Sequence, residues 1–139
     1  MKTIRTGIGY GLMALIISTI SLFALEYLGY SDKLNVPNLD ITFIITAVFI
    51  APLLEEFIYR FVPIKLTRRF TDSKSVLWIV IILSSIIFGL RHGSPYNILV
   101  QGIGGFILSL AFLKRGYWCS VTAHTTLNSI AILLAILGF

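Results

Sequence analysis

Acidic and sulfur chemistry are scarce in this chain: its 139 residues hold six Asp and Glu, two His and a single Cys. One cysteine excludes an internal disulfide framework and a cysteine-based zinc site; Cys119 reads as a small filler near a helix start. Charged residues make up only 12% of the chain against 57% hydrophobic. That leaves too little polar surface to clothe a soluble body of this size, so lipid must cover much of it. Period-two alternation is absent from the long Leu, Ile, Val and Phe runs, which argues against a transmembrane β-barrel and for helices that satisfy their own backbone. There is no internal repeat and no low-complexity tract. The net charge of +5 does not indicate nucleic acid, because the basic residues fall in short clusters at the ends of apolar runs and not on one polar face.

What is present is a series of apolar runs, at about residues 7 to 28, 40 to 62, 76 to 92, 97 to 114 and 117 to 138. At helical rise each spans a bilayer of about 30 Å or falls slightly short. The expected fold is all-α, a polytopic membrane helical bundle of about five transmembrane helices. It is read as one membrane-embedded domain over residues 1–139, with lipid as its surroundings. The joints are Gly29 to Asp40 (with Asp32, Lys33, Asn35, Pro37 and Asn38), Lys65 to Lys74, Gly93-Ser94-Pro95, and Lys114-Arg115-Gly116. Lys2 and Arg5, the second joint and the fourth joint carry the positive charge, so the positive-inside rule puts the N-terminus in the cytoplasm, the C-terminus outside and the protein in the cell membrane. Lys2 and Arg5 ahead of an apolar run also fit a secretory signal, but the run is long for one and lacks a small-x-small cleavage site. It is read as an uncleaved first helix.

Ionisable groups within a span cost about 2.5 to 3.5 kcal/mol each at mid-bilayer, so each asks for a reason. Glu55, Glu56 and Arg60 lie in the second run, His92 closes the third, and His124 and Asn128 lie in the fifth. Glu26, near the outer end of the first run, can reach headgroup water and is given no role. Glu56 and Arg60, four apart, share a helix face and can pair, whereas Glu55 is turned about 100° away and left without that partner. His124 and Asn128 are also four apart, and His92 comes from another helix. Two imidazoles and a carboxylate from three spans can converge on one water or one zinc ion, with a carboxamide beside them to stabilise an oxyanion. Pro52 cannot donate to the carbonyl of Val48, so it should bend the second helix and open space beside Glu55. Gly102, Gly104, Gly105 and Ser109 form a small-residue strip for close helix packing.

The order Glu55-Glu56-x-x-x-Arg60, Phe88-x-x-x-His92, His124-x-x-x-Asn128 on successive membrane segments resembles the CPBP family, also called the Abi or CAAX-protease and bacteriocin-processing family. The motif-bearing core covers about residues 40–138. The resemblance implies an intramembrane endopeptidase with a cavity open to the cytoplasmic side. Glu55 with His92 would activate water, His124 and Asn128 would stabilise the oxyanion, and Glu56 and Arg60 would support the site. It leaves open zinc held by Glu55, His92 and His124, or a metal-free glutamate site. The short chain resembles bacterial members, linked to peptide maturation, bacteriocin self-immunity and regulation of surface or quorum systems, and implies a peptide or a lipid-anchored or membrane protein as substrate. The alternative is a non-proteolytic interaction protein, such as an immunity factor, that keeps the motif residues for packing; a small proton carrier is a third reading, weakened by the lack of an inverted repeat. One geometric condition attaches to the enzyme. With straight helices His92 lies farther from the cytoplasm than Glu55 and His124, so tilted helices or a Gly93-Ser94-Pro95 joint sunk in the protein is required.

Overall fold

The computed structural model describes residues 1–30 and 39–138. Asp32, Lys33, Asn35, Pro37 and Asn38 of the first joint lie outside the described residues. Five helices follow one another: α1 (Lys2–Tyr27), α2 (Ile41–Phe70), α3 (Lys74–Leu90), α4 (Ile98–Arg115) and α5 (Tyr117–Ile136). No strand occurs among the described residues. Four of the five are long and apolar enough to cross a bilayer. The fifth, α3, has 17 residues and reaches only about 26 Å at helical rise. Side chains such as Ile20, Phe49, Leu54 and Ile58 stand exposed around the bundle, as lipid permits and water would not.

The helix α4 is the most enclosed, packing on α1, α3 and α5, while α2 leans on α3 and α5. Hairpins are tight where the sequence allows. Between α4 and α5 a single residue, Gly116, makes the turn at φ 78°, a conformation that costs a side-chain-bearing residue dearly. The helix α1 is seated through Gly7 and Gly11, where a Cβ would stand 2.8 Å from Cys119 O and 2.5 Å from Ala123 O. This small-x-x-x-small contact lets the backbones of α1 and α5 touch. Gly11→Leu is therefore expected to lower the thermal stability in detergent by about 1–3 kcal/mol. Gly9→Leu, whose Cβ meets nothing within 4 Å, should leave it unchanged. Equal unfolding midpoints for the two variants would show that α1 is not held at this crossing. Cys119, fully buried against Leu108, Ala111 and Ala123, is the filler it was read as.

The second helix differs from expectation. It runs on as helix through Val62–Phe70, past the start of the basic joint, and only Thr71 to Ser73 break it. Lys65, Arg68 and Arg69 extend the helix beyond its apolar stretch instead of ending it, and Arg68 and Arg69 stand in its last turn, where cations complement the helix dipole. Within α2, two widened π-helical turns occur, Thr46–Ile50 and Phe57–Phe61. Each contains the residue four before a proline: Val48 before Pro52, Tyr59 before Pro63. Widening the turn relieves the clash between the proline ring and that carbonyl. The freed oxygens find partners on neighbouring helices: Thr125 Oγ1 donates to Val48 O at 3.1 Å and Ser84 Oγ to Tyr59 O at 2.6 Å. A third widened turn opens α4 at Ile98–Gly102, where Val100 O accepts from Ser18 Oγ at 3.0 Å. At Pro52, where a bend is expected, α2 has a wide turn stitched to α5.

Candidate active site

Pairing across α2 and α5 is antiparallel and specific. Tyr117 Oη donates to Leu53 O, Thr125 to Val48 O, and Asn128 Nδ2 to Ala47 O at 2.8 Å. Ala47 O is available because the amide of Ala51 reaches back to Thr46 O in the widened turn. This ladder sets the two glutamates against His124. Glu56 is completely buried; its Oε1 accepts a hydrogen bond from His124 Nδ1 at 2.9 Å and is ion-paired with Arg60 Nη1 at 3.1 Å. The Arg60 guanidinium lies over the Phe88 ring at 4.3 Å, a cation–π contact in a desolvated place. Glu55, one residue earlier, points elsewhere: its side chain keeps 29% exposure, and its Oε2 stands 3.7 Å from His124 Nε2. The single helix step of about 100° thus separates a buried structural carboxylate from a cavity-facing one.

His92 is brought in by the short α3 and the chain after it. Ser94 and Asn97 are buried, and Asn97 Nδ2 donates to His92 O at 2.7 Å. Ser94 and Asn97 are thus turned inward while Gly93 and Pro95 stay exposed, and Asn97 ties the joint to the end of α3. Gly89 permits this return, since a Cβ there would stand 2.7 Å from Ile98 Cα. His92 Nδ1 donates to Phe88 O at 2.8 Å. A carbonyl can only accept, so Nδ1 carries the proton and Nε2 keeps its lone pair. In His124 the same atom donates to Glu56, again leaving Nε2 as the outward nitrogen. The Phe88 ring meets both imidazoles edge-on, with centroids 4.8 Å from His92 and 5.8 Å from His124.

Glu55, His92, His124 and Asn128 line one cavity of about 560 Å³, together with Ala47, Asn97 and Gln101. Arg91 also lines it and is exposed. Glu56 and Arg60 stand behind this cavity, not in its lining. His92 thus reaches the same cavity as Glu55 and His124, although Gly93 and Pro95 of the joint after it are exposed and not sunk in the protein as expected. Asn128 spends one amide N–H on Ala47 O and has a second to offer. Among the described residues no three His, Cys, Asp or Glu side chains gather closely enough to hold an ion; Glu55, His92 and His124 share the cavity without forming such a group.

Sequence reasoning passed over several residues that shape this centre. Phe88 was seen only as a motif letter, yet it supports both histidines and Arg60. Gly105 was read as packing, and it does pack, but against the site: a Cβ would stand 2.5 Å from Arg60 Nη2 and 2.8 Å from Phe88 Cδ1. Asn97 and Thr125 gave a usable signal, being polar residues beside apolar runs with no evident partner.

Comparison with known proteins agrees with this arrangement. An uncharacterized protein of Mycoplasma capricolum subsp. capricolum is 41% identical over 103 residues, covering 69% of this chain and 28% of that protein. The chain thus spans under a third of that relative's length. No solved structure matches it. Residues 37–130, which contain all three motifs and every residue named in the cavity, match the family described as Type II CAAX prenyl endopeptidase Rce1-like. Motif order, cavity and family match agree: this multi-pass membrane protein belongs to the Type II CAAX prenyl endopeptidase Rce1-like family.

Proposed function

We propose that the chain is an intramembrane endopeptidase that hydrolyses a peptide bond in a peptide or a lipid-anchored or membrane protein, using a water activated by Glu55 and His92. The supporting observation is that the Glu55 carboxylate and two imidazoles, each with Nδ1 already committed, line one cavity. A nucleophilic water between them loses its proton to Glu55, while the lone pair on His92 Nε2 accepts its other hydrogen and aims it. His124 plays a different part. Its Nδ1 stays bonded to the buried Glu56 carboxylate while its Nε2 edge faces the cavity, from where an N–H would donate to the oxyanion. The second N–H of Asn128 donates to the same oxygen. The proton taken by Glu55 then passes to the leaving amine. No step is routed through a metal.

An interaction protein without activity would also use a buried Glu56, Arg60 and His124 cluster to join α2 to α5. It has less use for Glu55, which keeps 29% exposure, lines the cavity and touches that cluster only through its Oε2, 3.7 Å from His124 Nε2. Kinetics separate the two. With a cleavable membrane-associated substrate in proteoliposomes, Asn128→Ala is expected to lower kcat about 10- to 100-fold with little change in KM, because its bond strengthens only in the transition state. Thr125→Val, which removes the neighbouring bond to Val48 O, serves as the packing control and should keep kcat. Equal losses in both variants, or a loss confined to substrate binding, would assign Asn128 to packing.

A further inference from the structure

One charged side chain of the cavity is left over once the proposed chemistry is assigned. Arg91 lines the cavity, is exposed and directly precedes His92. Its backbone is fixed where α3 ends, with its amide donating to Ile87 O at 3.1 Å. The His92 ring beside it is held on Phe88 O. The other charged groups of the site are spent on one another: Arg60 pairs with Glu56, and both glutamates approach His124. Arg91 takes no part in these pairs, and among the described residues no carboxylate lies within ion-pair distance of it. Asn97 and Asn128, by contrast, each spend an amide N–H on a backbone carbonyl.

The planar arginine fork matches a carboxylate, which it binds through two parallel N–H bonds. A cavity of about 560 Å³, taken as a sphere, is about 10 Å across, and an extended chain covers that in about three residues. From this placement we infer that Arg91 recognises the substrate, binding a carboxylate that the peptide carries within about three residues of the bond that is cut. This rests on the peptidase reading and narrows its substrate to peptides with a negative charge beside the cleavage point. Two groups supply that chemistry: an Asp or Glu side chain, or a free C-terminus where cleavage falls near the end of a chain. The Glu55 carboxylate repels a second negative charge elsewhere in the cavity, so the peptide's carboxylate settles at the Arg91 wall. A cation after α3 also complements the helix dipole, but that role gives no reason to face the cavity.

The test is cleavage by the full chain in proteoliposomes of a mixture of lipid-anchored peptides, randomised along their length and ending in a free acid or an amide. Products are read by mass spectrometry. Cut sites should be enriched about 10- to 100-fold for a nearby carboxylate, the gain a charge-assisted pair gives. Arg91→Gln should abolish the enrichment by raising KM for the carboxylate peptides, and Arg91→Glu should turn it into a preference for Lys or Arg at the same positions. Enrichment confined to free-acid peptides identifies the C-terminus as the source, whereas enrichment at Asp and Glu in both sets identifies a side chain. Equal cleavage of charged and neutral peptides by the parent, or an equal loss on every peptide in Arg91→Gln, overturns the inference and leaves Arg91 to lipid headgroups or to the end of α3. Binding of the same peptides to Glu55→Gln, with and without Arg91→Gln, keeps the two readings apart. Carboxylate-dependent binding that Arg91→Gln removes, with no cleavage by the parent, ends the peptidase reading and keeps the carboxylate site. Cleavage without carboxylate preference does the reverse, and neither binding nor cleavage removes both.

Discussion

Glu55→Gln inserts and folds like the parent protein but loses proteolysis. The expected fall in turnover is about 10²- to 10⁴-fold, the range a positioned general base supplies. Stability should change little, by about 0–1 kcal/mol, because the side chain is partly exposed and meets the buried network only through its 3.7 Å contact with His124. The pairing of these two results is what identifies a chemical role. A carboxylate that only holds helices together would weaken folding when neutralised, and one that only faces lipid water would change neither. The measurement is cleavage of a membrane-associated substrate by purified protein alongside thermal unfolding in the same detergent. Cleavage by Glu55→Gln at the parent rate would end the proposal that this residue takes the proton from water. His92→Ala belongs with it, since both act on the same water.

Removing Arg60 has the opposite profile. Arg60→Ala leaves Glu56, completely buried, with only His124 to balance it, and uncovers the face of Phe88. Breaking a buried ion pair from one side costs about 3–5 kcal/mol, enough to leave much of the protein unfolded. Activity falls in proportion to the folded fraction and further, because His124 loses its support. The double variant Glu56→Gln with Arg60→Met removes both charges and should recover most of the stability. It should not recover turnover, since a carboxamide in place of the Glu56 carboxylate no longer holds His124 Nδ1 by a charge-assisted bond. Thermal unfolding of the two single variants and the double gives the coupling between them directly. If Arg60→Ala unfolds at the parent temperature, the cluster does not hold α2 to α5 and the separation of the two glutamates into buried and reactive groups collapses.

The two predictions turn on neighbouring residues, Glu55 and Glu56, and they show how far a linear reading goes. Helical geometry alone paired Glu56 with Arg60 and turned Glu55 away from them, because a spacing of four and a step of one are properties of any helix. Composition alone required lipid, and runs of apolar residues without alternation required helices. The order of the three motifs was enough to place the chain in its family. These are local or compositional features, and they survive without knowledge of which helix lies beside which.

Contacts between distant residues could not be read that way. That His124 Nδ1 reaches Glu56, 68 residues earlier in the chain, follows from the pairing of α2 with α5, which uses the carbonyl released by the widened turn ahead of Pro52, while the one released ahead of Pro63 is answered by α3. A proline in the sequence announces a missing donor, but not which neighbour will answer the orphaned oxygen. The level of His92 was likewise undecided until the joint beyond it was seen to be tied back by Asn97. Charged and chemically active residues were both visible in the sequence. That Arg91 and His92 meet Glu55 in one cavity was decided only by packing, because a hydropathy pattern records where a helix crosses the membrane and not how its residues face their partners.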